Sequence, residues 1–456
     1  MQQQIDFKKF ATYSKAGPRY TSYPTAIEFN TNYNYENYLL DLQKDTNPLS
    51  LYLHLPFCRS ACYFCGCNVI YTSKAENKTH YIDYLKKELK ILKAQINTNK
   101  NVYQLHFGGG TPTFFDSNEL KIIIELLKET FPNFSKDAEI ACEIDPRFFT
   151  KEQMEVLKDG GFNRLSFGIQ DFNPQTQKAI HRFQDFSLVQ NAIEIARNYG
   201  INSINFDLIY GLPYQTLQTF KETLQLCLKL NPNRFAIFNY AHVPWIKKTM
   251  RKIDETTLPH PEEKLKILEY NIEFLSQNGY KMIGMDHFAK PDDELFKSIA
   301  KNELRRNFQG YSTKGGTQTL GIGITSIGEG SDYYAQNHKD LTSYEESIDK
   351  GLLPFCKGIQ LSLDDKIRKS VIMKLMSNFK LDFKQIEEEF KIDFKSYFKE
   401  ALEELEPLAK AGLLEIFDKS LEVNQTGTLL IRNIAMPFDA YLKKFSNDKK
   451  VFSKTI

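Results

Sequence analysis

The sequence predicts an α/β fold: an open (β/α)6 barrel with an N-terminal arm before it and a mostly helical C-terminal domain after it. Three observations carry this. Six short apolar or β-branched stretches recur along the first half of the chain, and segments with apolar residues at three and four spacing separate them. From about Leu361 the texture changes to helical stretches rich in Lys, Glu, Leu and Phe.

The strands are read at Ser50–Leu55, Tyr103–Phe107, Glu139–Ile144, Arg164–Ile169, Ser203–Ile209 and Arg234–Tyr240. The helices between them are read at 79–93, 117–130, 151–158, 188–198 and 216–229. Strands alternating with helices demand a parallel sheet with right-handed crossovers, and six units fall short of a closed eight-unit barrel. In such barrels the C-terminal ends of the strands form the active face. Farther on, 364–379 and 394–411 read as helices leading into a short hairpin made by 412–416 and 421–424, with a winged-helix flavour. Its positive charges read as a solvated helical face rather than a DNA surface. The expected domains are an arm over 1–48 that closes the active site, a barrel with its extension over 49–360, and a helical domain over 361–456.

At 456 residues, with 41% hydrophobic and 25% charged residues, the composition is that of an ordinary globular protein. Lys plus Arg number 59 against 57 Asp plus Glu, a net charge of +2 that argues against nucleic acid or an anionic membrane as a bulk electrostatic partner. No apolar run approaches the roughly 20 residues that span a bilayer. Met1 to Phe10 is polar without a hydrophobic export core, so the expected location is cytoplasmic.

Four of the seven cysteines crowd together as C-x3-C-x2-C-x-C: Cys58, Cys62, Cys65 and Cys67, directly after the first strand. The first three have the spacing that sets three thiolates on three irons of a cubane 4Fe-4S cluster and leaves the fourth iron open. A zinc site would need a second ligand pair at compatible spacing, and none stands out downstream. A disulfide framework suits neither the expected compartment nor the length. Cys67 reads as a neighbour of the cluster, although a fourth thiolate ligand remains the alternative. Cys142, Cys227 and Cys356 read as buried small hydrophobes.

Further motifs fall at strand ends. His106-Phe107-Gly108-Gly109-Gly110-Thr111 follows the second strand, and a glycine triplet lets backbone N–H groups approach a ligand closely. Glu143 ends the third strand, where a carboxylate meets either an ammonium or ribose ligand or, alternatively, Arg147 or Arg164. Gln170-Asp171 ends the fourth strand with His181-Arg182 soon after, Asp207 lies late in the fifth, and Asn239-Tyr240-Ala241-His242 continues the series on the sixth.

The cysteine pattern, with Phe64 between the second and third cysteines, resembles the radical S-adenosylmethionine (SAM) enzymes. Pro18-Arg19-Tyr20-Thr21-Ser22-Tyr23-Pro24-Thr25-Ala26, Leu53-His54-Leu55-Pro56-Phe57-Cys58, Cys65-Gly66-Cys67-Asn68, Gly284-Met285-Asp286-His287-Phe288 and Arg306-Asn307-Phe308-Gln309-Gly310-Tyr311 narrow the likeness. Together they look like the oxygen-independent branch of that superfamily in bacterial haem synthesis, and the likeness runs to Leu430-Ile431-Arg432-Asn433-Ile434. The resemblance implies the partial (β/α)6 radical SAM barrel and a 4Fe-4S cluster on Cys58, Cys62 and Cys65. It also implies two SAM molecules per monomer. Tyr52, Gly109, Glu143 and Ile327 would hold the first; Phe64, Gly110, Thr111, Gln170, Arg182, Asp207 and Ala241 would contact the second. The implied reaction is oxidative decarboxylation of two propionates of coproporphyrinogen III to vinyl groups, giving protoporphyrinogen IX, with Tyr52, Glu143 and Arg19 as catalytic candidates. Arg19 on the Pro-bounded arm would pair with a propionate, the alternative being an arm that only packs over the barrel mouth. The implied electron donor is flavodoxin- or ferredoxin-like, and the protein a monomer. Departures from the pattern are Ser14-Lys15-Ala16-Gly17 before the arm and Gly328 in place of a common Ser. Two other readings share the fold: a haem chaperone, which generally lacks the arm and carries H-N-x-x-Y-W in place of Arg306 to Tyr311, and a radical SAM methyltransferase.

Overall fold

The computed structural model describes residues 5–444; the ends of the expected arm (1–4) and of the expected helical domain (445–456) lie outside the described residues. The chain divides into two compact units, each discontinuous in sequence: 29–259 with 316–360, and 1–28 with 260–315 and 361–456.

The first unit carries the α/β architecture. Its strands and helices alternate as β1 (Leu49–Leu55), α1 (Ala75–Gln95), β2 (Val102–Gly109), α2 (Ser117–Thr130), β3 (Phe134–Ile144), α3 (Lys151–Asp159), β4 (Arg164–Gln170), α4 (Phe186–Asn198), β5 (Ser203–Tyr210), α5 (Leu217–Lys229) and β6 (Arg234–Asn239). Four strands follow from the later segment: β7 (Gln318–Ile322), β8 (Ile327–Glu329), β9 (Tyr333–Asn337) and β10 (Phe355–Gln360). All ten lie in one sheet in the order β10-β9-β8-β7-β1-β2-β3-β4-β5-β6. From β7 to β6 every pair is parallel, and β7 to β10 are joined antiparallel.

Four of the five helices named here start at a side-chain cap; α1 follows Lys74 without one. Capping boxes open α2 (Asp116 with Glu119), α3 (Thr150 with Gln153) and α5 (Thr216 with Thr219), and Asp185 caps α4. The apolar faces then bury Leu85, Leu120, Leu127, Met154, Val189, Phe220 and Leu224 against alternate residues of the strands. The alternation is plainest in β5, whose residues are buried at every second position. Cys142 and Cys227 are fully buried among these apolar groups, whereas Cys356 is partly exposed.

The second unit is mostly helical, with Pro261–Gln277, Leu363–Asn378 and Lys399–Lys410 as its longest helices. Leu414–Ile416 and Ser420–Val423 form an antiparallel hairpin, and Lys380–Asp382 adds a third strand beside Ser420–Val423. Residues of the N-terminal segment are built into this unit: the Tyr20 hydroxyl donates to Asp439 at 3.0 Å, Tyr23 accepts the Ala440 amide at 3.1 Å, and both rings are buried. Among the described residues no helix is long and apolar enough to cross a membrane.

Candidate functional site

The cysteine loop grows from the C-terminal end of β1 and is closed at its base. Phe57–Cys58 pairs with Ile70–Tyr71 in a two-stranded parallel ribbon. Inside it the Cys65 amide donates to the Cys62 carbonyl at 3.1 Å, closing a tight turn between these two cysteines. The loop is tied to its surroundings through Lys247 Nζ on the Cys67 carbonyl (2.9 Å), His54 Nε2 on the Asn68 carbonyl (2.9 Å), and the Tyr63 ring stacked on His181 at 5.0 Å. All seven cysteines are free thiols.

Positive charge gathers at the loop. Asp145, just beyond β3, holds Arg147 (2.7 Å) and Arg182 (3.1 Å), and both guanidiniums turn a second N–H to Cys62 Sγ, at 3.8 and 3.6 Å. Burial opposes ionisation of Asp145, but the Arg182 charge and the Arg147 hydrogen bonds outweigh it and hold the carboxyl below its ordinary value. Burial pushes the Cys58 thiol up to about 12, although the Thr111 hydroxyl at 3.3 Å favours its thiolate. Cys65 is drawn down to about 7 by its hydrogen bond with the Cys67 sulfur, against burial, with Lys247 and Arg182 helping.

The glycine turn after β2 is sewn onto this loop. Gly110 N donates to the Leu55 carbonyl at 2.8 Å and Thr111 N to the Phe57 carbonyl at 2.9 Å. A Cβ on Gly110 would stand 2.7 Å from the Pro56 and Phe57 carbonyl oxygens, and Gly109 takes a positive φ of +114° against the His54 ring. Gly109 N donates to Glu143 Oε2 at 3.3 Å. The amides from Gly109 to Thr111 are therefore engaged within the chain instead of facing a ligand as free donors, which corrects that part of the sequence reading.

Tyr52, His106 and Glu143 meet on neighbouring strands. Register pairs Tyr52 with His106 and His106 with Ala141, two residues before Glu143. The Tyr52 and His106 rings stack at 5.9 Å, Tyr52 also bonds His54 Nδ1 at 3.1 Å, and His106 Nε2 lies 3.2 Å from Glu143 Oε1. Burial raises the Glu143 carboxyl, but His106 and the Gly109 amide outweigh it, so the group is held below its ordinary value and ionised. Arg147 is on Asp145, and Arg164 is on Glu139 at 3.0 Å, so Glu143 takes His106 as its hydrogen-bonding neighbour in place of the arginines weighed from sequence. Ile327 lies against Gly321, the strand partner of Tyr52.

The remaining candidates sit farther along the strand ends. Gln170 has a left-handed backbone (φ 64°) at the close of β4, and Arg182 Nη2 donates to the Gly168 carbonyl at 2.7 Å. Asp207 on β5 accepts from Ser166 (2.7 Å) and Asn205 (2.9 Å), and burial raises its pKa to about 6 with Glu143 contributing. Asp171 has a structural part, accepting from Thr223, Gln215 and the Asn173 amide. Phe64 packs on a cluster that includes Ile180, Leu212 and Tyr240, next to Ala241. Arg19 belongs to the other unit, where its guanidinium is bonded to Asp286. The sequence reading gave no role to His106, named only within the glycine motif, or to Asp145; an Asp-Pro-Arg at a barrel strand end was the available signal for the latter.

An open α/β barrel bearing a three-cysteine loop beyond its first strand, with a glycine turn beside it, defines a radical SAM protein, and residues 52–227 match the Radical SAM superfamily model. Residues 361–430 match the HemN C-terminal domain. The chain is 61% identical to an oxygen-independent coproporphyrinogen III oxidase of Helicobacter pylori (strain J99), with all of each chain covered. It is 45% identical to that of Escherichia coli K12, over 100% of this chain and 99% of the relative. The solved structure of the Escherichia coli coproporphyrinogen III oxidase, described as a radical SAM enzyme, superposes with a TM-score of 0.92 at 44% identity over 96% of this chain and 100% of that one. The chain belongs to the oxygen-independent coproporphyrinogen III oxidase family.

Membership brings a 4Fe-4S cluster and SAM, and the residues fit them. The loop offers three thiols, one of them facing two guanidiniums, and a Cβ on Gly66 would meet nothing within 4 Å, so there is room at the third cysteine. Among the described residues no three Cys, His, Asp or Glu side chains converge on one ion position; a cubane does not require it, since each thiolate takes a different iron.

Proposed function

We propose that the protein catalyses the oxygen-independent oxidative decarboxylation of coproporphyrinogen III. Two propionates each lose a β-hydrogen, CO2 and one electron to leave vinyl groups, giving protoporphyrinogen IX. The observation that carries this is the full-length likeness to the Helicobacter and Escherichia oxidases, which spans both compact units rather than the barrel alone. When bound, the cluster and SAM supply one-electron chemistry and a carbon radical that removes the hydrogen atom.

The chain's own part is positioning and electrostatics. Cys58, Cys62 and Cys65 are proposed to hold the cluster, with Arg147 and Arg182 balancing thiolate charge at Cys62. The proposed holders of the first SAM are Tyr52, Gly109, Glu143 and Ile327; the ionised Glu143, oriented by His106, suits the SAM ammonium. Phe64, Gly110, Thr111, Gln170, Arg182, Asp207 and Ala241 are proposed contacts of a second SAM, Gly110 and Thr111 through atoms other than their engaged amides. Arg19 is a proposed propionate partner on chemical grounds, competing there with Asp286. A flavodoxin- or ferredoxin-like donor, a monomeric state, a cytoplasmic location, and an N-terminal arm that closes the site are proposed with it.

The deciding experiment is an anaerobic assay of reduced protein with SAM and coproporphyrinogen III, reading CO2 and the vinyl porphyrin. Release of S-adenosylhomocysteine would mark a methyltransferase instead, and tight haem binding without decarboxylation would mark a chaperone.

A further inference from the structure

In the second unit, strands Arg305–Asn307 and Gly310–Ser312 pair antiparallel and set Arg306 opposite Tyr311. The guanidinium lies over the Tyr311 ring, 4.8 Å from its centroid, and the residue is only 7% exposed. Its Nε and Nη1 are buried and have no hydrogen-bond partner. A buried donor left unmade costs about 1–3 kcal/mol, and more when charged. A guanidinium cannot escape that cost by losing its proton, as a histidine can.

Tyr311 answers part of the charge, through its ring and a side-chain hydrogen bond. Arg19 and Arg432 act on Arg306 or are acted on by it as further cations, with Asp286 as the carboxylate felt by all three. Asp286 is bonded by Arg19, and Arg432 donates to the backbone carbonyls of Pro18 and Gly17. His287, whose ring lies 5.1 Å from Tyr311, adds no negative charge: burial and then the Arg306 charge keep it neutral, with its pKa down to about 3. Asp286, the carboxylate acting on Arg306, is held by Arg19, which leaves the Arg306 guanidinium with two unmet N–H groups. A carboxylate suits it, being planar, of opposite charge and able to accept from N–H groups aimed at it.

We propose that Arg306 is a substrate-specificity residue that receives one propionate carboxylate of the porphyrinogen on its unfilled N–H groups, with Arg19 and Arg432 as further positive charges. This rests on the function proposed above and deepens it, since it adds Arg306 as a carboxylate partner that, unlike Arg19, has no carboxylate bonded to it among the described residues. The assignment is to the acid itself, so an esterified substrate should lose it.

The test uses the full-length reconstituted protein and the stable oxidised analogues coproporphyrin III and its tetramethyl ester, with binding followed by porphyrin fluorescence. The wild type is expected to favour the acid. Arg306→Gln is expected to weaken acid binding about tenfold or more, the size of one lost charge-assisted bond. Ester binding, cluster absorbance and circular dichroism should not move. Arg306→Lys, which keeps the charge but not the planar fork, is expected to recover part of the loss. A folded Arg306→Gln that binds the acid as the wild type does would overturn the proposal. Should that variant misfold, a crystal structure of the wild-type complex with coproporphyrin III decides it: a propionate oxygen on the Arg306 guanidinium is expected, and propionates placed elsewhere would refute it. Wild-type protein that makes no vinyl product from coproporphyrinogen III would instead sink the function itself, whatever Arg306 does.

Discussion

Arg182 Nη1 lies 3.6 Å from Cys62 Sγ while the same nitrogen holds Asp145 Oδ2 at 3.1 Å. One guanidinium thus joins a buried carboxylate at the end of β3 to the cysteine loop beyond β1. Replacing it with an uncharged side chain leaves Asp145 with Arg147 alone. Arg182→Met is expected to lower the stability of the metal-free protein by about 3 kcal/mol, the usual cost of breaking one side of a buried pair. It is also expected to speed iron loss to a chelator after reconstitution. Thermal unfolding and a timed iron assay check both, and a variant that melts and retains iron like its parent would remove Arg182 from this role.

The cysteines should not be equivalent. Cys58→Ser, Cys62→Ser and Cys65→Ser are each expected to abolish most of the cluster after anaerobic reconstitution, because each removes one of three thiolates. Cys67 sits at the exposed end of the loop and reaches the site through its hydrogen bond to Cys65. Cys67→Ser is expected to keep most of the iron. Iron and sulfide content per chain measures this, and full iron in Cys62→Ser would show the ligand assignment to be wrong.

Two glycines of the site should behave in opposite ways. A Cβ on Gly110 meets the backbone of Pro56 and Phe57 at 2.7 Å, whereas one on Gly66 meets nothing within 4 Å. Gly110→Ala must push the glycine turn away from the cysteine loop, at about 1–3 kcal/mol, and cluster content should fall with it. Gly66→Ala should change stability by less than about 0.5 kcal/mol. Denaturant unfolding of the two variants side by side gives the comparison.

The barrel was legible because its signals are local. Ser203–Tyr210 alternates, Ser117–Thr130 has a capping box and an apolar stripe, and both stand where the periodicity put them, within a residue or so. The strands β7 to β10 were not read, since Gly321, Gly323, Gly328 and Gly330 interrupt their apolar pattern and their pairing depends on β1, more than 250 residues earlier. The same distance hid the chemistry around the cysteines. The loop was obvious as a motif, but its guanidiniums come from Arg147 and Arg182, whose approach to Cys62 no spacing rule encodes. Glu143 shows the converse: its position at a strand end was readable, its partner was not, because His106 reaches it across the sheet. The N-terminal segment reads as rigid from its prolines and aromatics, but the partners that hold Tyr20 and Tyr23 were not legible, since Asp439 and Ala440 lie more than 400 residues farther on.

Asp207 offers a test by pH. Burial, with Glu143 as a further cause, raises its folded pKa to about 6, while Ser166 and Asn205 offset only part of the shift. An unfolded aspartate titrates near 3.9. Between about pH 4 and pH 6 the folded chain therefore binds more protons at this position than the unfolded chain does. Stability consequently falls as pH rises through that window and levels off above it. Asp171, raised to about 6 by burial, acts in the same direction, so the wild-type slope has at least two sources. Asp207→Asn keeps an acceptor for Ser166 but removes the titration. Relative to the wild type, the variant is expected to gain about 2 kcal/mol between pH 4.5 and pH 7.5. Urea unfolding of the metal-free proteins at the two pH values measures this difference of differences, which cancels any constant cost of the lost hydrogen bond. An unchanged gap would mean that Asp207 titrates alike in the folded and unfolded chains, so that burial beside Ser166 and Asn205 does not raise it.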